Sequence, residues 1–121
     1  MRRIVSSLAV AVLLLAATVF AGSTTATAAA DPLCDPPYYY NASSSTAIVL
    51  RSHNIKAAPY AACGNVAWVG EGAKVYIWCS RVNKYGHMWV YARVSGESTR
   101  GWISLDNIEI SGTTWPCGDG W

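Results

Sequence analysis

The chain has 121 residues, with 9 Lys and Arg against 7 Asp and Glu, and carries 6 Trp and 7 Tyr. Two of the nine cations, Arg2 and Arg3, head what reads as a targeting segment, and without them seven positive charges face seven negative ones. A surface so balanced lacks the basic footprint that a phosphate backbone or an anionic bilayer demands, which excludes nucleic acid and membrane lipid as main partners.

In chain order, residues 1–30 come first. An apolar run at 8–21 (LAVAVLLLAATVFA) follows the two Arg, and a small-residue stretch then places Ala28 and Ala30 in an A-x-A cleavage pattern. That is the layout of a secretory signal peptide, cut after Ala30 or after Ala28. Residues 22–25 break the run short of the roughly 20 apolar residues that a membrane anchor needs.

Residues 31–45 (DPLCDPPYYYNASSS) read as an irregular N-terminal arm. A first strand is expected at 47–51 (AIVLR), and residues 52–64, with Pro59 and no clean alternation, read as a long surface loop. The stretch CGNVAWVGEGAKVYIWCS, 63–80, has strand character on both sides of a Gly70-Glu71-Gly72 turn. At 74–80 the pattern alternates, placing Val75, Ile77 and Cys79 on one face and Lys74, Tyr76, Trp78 and Ser80 on the other. Another strand covers 88–94, a turn 95–99, and a return strand 100–104; LDN at 105–107 is a tight turn into a closing strand at 108–110. On the strand at 88–94, Met88, Val90, Ala92 and Val94 share a face that can join Val75 and Ile77 as core, and Trp89, Tyr91 and Arg93 share the other. Residues 111–121 form a C-terminal tail. The expected fold is all-β, one domain, a small barrel of about five strands.

Cys34, Cys63, Cys79 and Cys117 are even in number, with no C-x-x-C pair, in a chain marked for an oxidising space. Two disulfides are the natural reading. A zinc site using these thiols with His53 or His87 would lack any recognisable metal spacing, and no metal ligands or other cofactor are expected. A hairpin closed by Gly70–Gly72 with Val69 opposite Ala73 brings Cys63 opposite Cys79; a shift of one residue leaves them diagonal, so the turn favours this bridge without forcing it. Cys34 then pairs with Cys117 by elimination. The motifs of hydrolases, metalloproteases and phosphate-binding loops are missing, and Asp106 and Glu109, the nearest carboxylates, flank a turn where solvation is their ordinary state. No catalytic residues and no enzyme activity are expected.

The ordered segments VLRS at 49–52, NVAWVGEGAKVYIWC at 65–79, MWVYARV at 88–94 and RGWISLDNIEI at 100–110 together resemble a bacterial SH3 domain (SH3b) of the small, secreted, Cys-containing kind. The resemblance covers residues 46–110 and implies an SH3-like barrel that recognises and does not catalyse. It implies a secreted stand-alone module that binds peptidoglycan or another cell-wall polymer through an aromatic groove, monomeric, extracellular or held at the wall. The alternative is a secreted protein-binding effector, such as an inhibitor of an extracellular hydrolase. Tyr60, Tyr76, Trp78, Tyr85 and Tyr91 are the rings expected to be exposed to a ligand; Trp89 either packs under a loop or lines the groove. Trp102 is expected in the core, with residues 38–40 and Trp115 and Trp121 covering the open end of the barrel. Flat aromatic faces suit sugars and extended peptides because they offer large contact area at low entropy cost.

Overall fold

A computed structural model describes residues 32–118, so the expected signal peptide at 1–30 and Trp121 lie outside the described residues. After a 3₁₀ turn at Pro32–Cys34 come β1 (Thr46–Val49), β2 (His53–Lys56), β3 (Asn65–Val69), β4 (Lys74–Val82), β5 (Met88–Val94) and β6 (Arg100–Ser104). A second 3₁₀ turn at Leu105–Asn107 leads into β7 (Ile108–Ser111). The fold is all-β, as its alternating segments required. Strand order is β3-β2-β6-β5-β4-β1-β7, and β3 and β7 are edges that do not pair with one another. The fold is therefore an open sheet of seven antiparallel strands, not the closed barrel of about five that was expected.

Two local features account for that difference. Residues 53–56, expected in a loop, form β2, with Ile55 fully buried. Four residues with a register shift between Ile55 and Lys56 leave too little alternation for a sequence to announce. β2 then takes β3 as its partner, with His53 opposite Val69, Asn54 opposite Trp68 and Ile55 opposite Ala67. The Gly70-Glu71-Gly72 turn consequently closes no β3–β4 hairpin. Ala73 N–H donates to Gly70 O at 3.1 Å, while Gly72 N–H donates to Val49 O at 2.8 Å, docking the turn on β1. Gly72 has φ 83°, which a residue with a Cβ adopts only with strain.

Ala47, Val49, Ile55, Val69, Val75, Ile77, Val90, Ala92, Ile103 and Ile108 form one buried aliphatic cluster to which every strand contributes. Neighbouring strands lie about 4.8 Å apart, so a flat sheet would hold Val69 and Ile108 at opposite extremes. Their presence in one cluster means the sheet folds over on itself with this face inside. Of the expected core residues on β5, Val90 and Ala92 are fully buried; Met88 is exposed and Val94 only half-buried. Gly101 lets β6 approach β2, because a Cβ there would sit 2.4 Å from Ile55 Cγ2 and 2.9 Å from Lys56 O.

A bulge in β4 decides the outer face. Ile77 lies opposite Ala92, but Cys79 lies opposite Tyr91, which leaves Trp78 as the extra residue. Alternation alone would keep Cys79 beside Val75 and Ile77; the bulge sends it to the other side, where it packs with Trp89, Tyr91, Trp102 and Cys117. This aromatic cluster is covered by the two chain ends. Tyr39 stacks on Tyr91 with ring centres 3.7 Å apart. Past the end of β1, the free edge of β4 is taken up by both arms: Ala42 N–H donates to Trp78 O, Ser80 N–H to Trp115 O, and Cys117 N–H to Ser80 O. Arg81, nearly buried, donates from Nη2 to Tyr38 O at 2.8 Å and to Gly118 O at 3.0 Å, tying one arm to the other. The arms thus close over an outer face, not over a barrel end, and within them Tyr38, Tyr40 and Trp115 are exposed.

The four cysteines form two disulfides, Cys34–Cys63 and Cys79–Cys117. Both expected pairings, Cys63 with Cys79 and Cys34 with Cys117, are corrected. With β3 on β2 there is no hairpin to bring Cys63 to Cys79, and the bulge turns Cys79 toward the tail. Cys34–Cys63 fastens the N-terminal arm to the loop between β2 and β3, and Cys79–Cys117 fastens the C-terminal tail to β4. For sequence separations of 29 and 38, the chain-entropy relation assigns each about 3.5–4 kcal/mol.

With the expected cleavage after Ala30, trypsin should separate the four cysteines onto peptides 31–51, 57–74, 75–81 and 101–121 of the non-reduced protein. The expected masses join 31–51 to 57–74 and 75–81 to 101–121; a joined 57–74 and 75–81 would refute the pairing. Reduction should lower the melting temperature strongly. Trp102 is fully buried, as expected from sequence, and Trp102→Ala should remove about 3–5 kcal/mol in denaturant unfolding of the oxidised protein.

Candidate ligand-binding groove

The outer face of the sheet at the β2–β3 end is open. Trp68, opposite Asn54 on edge strand β3, is 67% exposed. Trp89 on β5, opposite Ser104, forms a nearly buried floor. A groove of about 580 Å³ lies between them, walled by Arg51, His53, Lys56, His87 and Asp106. A second, more apolar hollow of about 300 Å³ is lined by Leu33, Tyr60, Cys63, Asn83 and Tyr85, and the two share Ala61, His87 and Trp89. They form one bent channel with Trp89 at the corner.

The hairpin loop between β4 and β5 supplies the far wall, and Asn83 holds it in shape. Its N–H donates to His87 O at 2.8 Å, its Oδ1 accepts from the N–H groups of Tyr85 and His87, and its Nδ2 donates to Pro59 O at 2.9 Å. One buried amide therefore fixes both this loop and the 57–64 loop facing it, since each polar group it satisfies would be costly to strand. Tyr60 lies beneath: its hydroxyl accepts from Lys84 N–H at 2.9 Å and its ring meets Tyr85 edge-on at 5.7 Å.

The floor of the groove has its own polarity. His53 Nδ1 lies 2.8 Å from Arg51 O, to which it donates. The His53 Nε2 and the Trp89 Nε1–H are both buried with no hydrogen-bond partner among the described residues. Among the described residues no three His, Cys, Asp or Glu side chains cluster as a metal ion would require.

The sequence-nominated rings divide between two places. Tyr85, 64% exposed, and Trp89 line the channel. Tyr60, expected to be exposed, is buried as a support under Tyr85. Tyr91, also expected to be exposed, is buried beneath Tyr39. Tyr76 and Trp78 are half-buried on the same outer face but away from the channel, beside Arg93 and Arg100. Trp68, His53 and Asn83 were not singled out as site residues. Alternation in NVAWV does put Val66 and Trp68 together opposite Val69, and that is the signal that could have found Trp68.

Burial, and then the hydrogen bond with Tyr39, hold the Tyr91 phenol well above its ordinary range. The neutral form is thus favoured in the fold, so its contribution is complete below the unfolded phenol value of about 10 and fades as pH rises beyond it. Stability of the oxidised protein should fall above that pH as the unfolded chain ionises, and Tyr91→Phe should shrink this fall in denaturant titrations across the alkaline range. An unchanged alkaline slope in the variant would show that Tyr91 is not the group responsible.

Protein-family models, curated proteins and solved structures give no match to this chain.

Proposed function

We propose that the chain is a secreted recognition module of the SH3b kind that binds a cell-wall polymer, peptidoglycan glycan or its stem peptides, in the Trp68–Trp89–Tyr85 channel. The observation that carries the reading is the 67% exposure of Trp68 at the mouth of a channel floored by Trp89. A large exposed ring beside a concave, partly apolar surface is where a soluble domain commits contact area to a partner. Rings at the mouth, corner and far wall suit an extended ligand, with the groove's polar groups left to fix its orientation. Two disulfides with no free Cys among the described residues fit an extracellular setting. No helix among the described residues is long and apolar enough to cross a membrane.

A specific observation also favours the protein-binding alternative. β3 is a sheet edge with Val66 and Trp68 both exposed, and such an edge can accept an added strand from a partner protein.

Sedimentation with purified wall sacculi discriminates between the two. Trp68→Ala and Tyr85→Ala remove exposed rings, so melting should change little while retention weakens by about 1 kcal/mol or more, roughly fivefold. Retention through stacked rings should also vary only slightly with salt. Retention equal to the parent's in both variants would place the ligand elsewhere, and failure of the parent to sediment would move the effector reading ahead.

A further inference from the structure

An open sheet has to dispose of its unpaired edges, because a row of free N–H and C=O groups is a template for another strand. This molecule disposes of two of them. The part of β4 that runs past β1 is taken up by both arms, through Ala42, Trp115 and Cys117. The outer strand β7 carries the exposed carboxylate of Glu109 at its second residue, and any two-fold pairing of β7 on itself would set that charge opposite or diagonal to its own copy.

The third edge, β3, has neither device. Residues 63–70 (CGNVAWVG) hold no charged side chain and no Pro. Among the described residues no backbone hydrogen bond from outside the sheet reaches Asn65–Val69. Asn65, Val66 and Trp68 are exposed along it, and Lys56, the cation on the neighbouring strand, reaches back to Asn65 Oδ1 and Cys63 O. The register shift of the β2–β3 ladder falls at the Asn65 end, so Ala67, Trp68 and Val69 keep regular pairing with Ile55, Asn54 and His53. That stretch is straight enough to continue.

We infer that β3 is a self-pairing edge, through which two copies of this chain join as an antiparallel two-fold dimer. An isologous contact uses one patch twice, so the patch must suit itself, and an uncharged strand meets that condition where a charged one would face its own sign. Geometry then selects the register. A two-fold axis perpendicular to the sheet keeps every side chain on its own face, and alternation therefore requires the axis to pass a residue and its copy. Centring on Ala67 is the one such register that pairs all five residues of Asn65–Val69. It sets the small Ala67 at the axis and each Val66 opposite the Trp68 of the other copy, two aromatic to β-branched pairs on one face.

The contact is short. Two Trp and two Val over a five-residue ladder cover less than the roughly 1,200 Å² at which stable interfaces begin, so the dimer is weak and depends on concentration. Its outer faces lie on the same side of one continuous sheet, with a channel beside each Trp68. The pairing itself does not rest on the wall-polymer reading; where that reading holds, the dimer grips a repeating polymer at two points.

Sedimentation velocity of the oxidised protein without any polymer, from micromolar to about 1 mM, tests the pairing. The parent should pass from monomer to dimer and stop there, because a two-fold contact closes. Val66 lines neither part of the channel, and Val66→Lys places a charge on the edge, so it should weaken dimerisation roughly tenfold or more with an unaltered melting temperature at micromolar concentration. Val66→Thr keeps the branched shape and should retain the dimer. Amide exchange at high against low concentration should show added protection confined to residues 65–69. A parent that stays monomeric to the top of the range would overturn the inference and leave β3 to a strand of another protein. Growth beyond the dimer, equal association by Val66→Lys, or protection at Ile108–Ser111 in place of residues 65–69 would overturn it as well.

Discussion

One inserted residue in β4 governs the outer half of this molecule. The backbone spends Trp78 as a bulge, so the side-chain phase reverses between Ile77, which faces Ala92 in the aliphatic core, and Cys79, which faces Tyr91 outside it. From that reversal follow the Cys79–Cys117 bridge, the seat of the C-terminal tail on the edge of β4, and the position of Arg81 opposite Trp89. A bulge bends its strand and increases local twist. Without it Cys79 would point into the cluster of Val75 and Ile77, and the tail would have no covalent anchor.

The two faces are stabilised by different means. Inside, small and branched aliphatic side chains from all seven strands pack without polar partners. Outside, large rings are covered by arms with little regular structure of their own, and such segments are expensive to order. Covalent anchoring offsets that cost at one end of each arm, and hydrogen bonds with the backbone of Trp78 and Ser80 and from the Arg81 side chain fasten the rest. Arg81 is a demanding way to do so, since a nearly buried guanidinium must be well satisfied to be tolerated. Its Nη2 bonds to Tyr38 O and Gly118 O couple the two arms, so loosening either one exposes the charge that holds the other.

How much of this was legible depends on how many residues carry each signal. Seven residues of strict alternation gave β5 at Met88–Val94 and the outward direction of Trp89 and Tyr91, and RGWIS followed by LDN gave β6 and the 3₁₀ turn. Trp102 was readable as a core or half-buried ring from its place next to Gly101 within a strand. β2 was not legible: four residues with a register shift look like loop, and missing it gave β3 the wrong partner and Cys63 the wrong bridge. The bulge was invisible for a related reason, since VYIWCS reads as unbroken alternation and only the opposing strand reveals the extra residue. Tyr60 misled because a ring in a loop looks exposed until Asn83, 23 positions away, is seen pinning that loop from beneath through Pro59 O. In the channel, Trp89 and Tyr85 were within reach of the pattern; Trp68 gained its meaning only once β3 proved to be an edge.

The arms that complete the fold also set the geometry of its outer surface. The channel at the β2–β3 end and a hollow under Asn41 and Ser44 lie on the same side of the sheet, with the Tyr39–Tyr91 stack between them. A separate cavity of about 220 Å³ is lined by Lys56, which also walls the channel, and by Arg100, whose guanidinium lies over Trp78. Net charge conceals this arrangement: Lys74, Arg93 and Arg100 lie on the neighbouring strands β4, β5 and β6, whereas Glu71 and Glu97 are carried in turns and Glu109 on an edge strand. A neutral composition therefore excludes a globally basic binder but not a locally cationic strip, and only the pairing of β4, β5 and β6 shows Arg93 and Arg100 to be neighbours. What distinguishes this strip from an ordinary solvated face is that the rings of Tyr76 and Trp78 hold its cations where carboxylates would otherwise neutralise them.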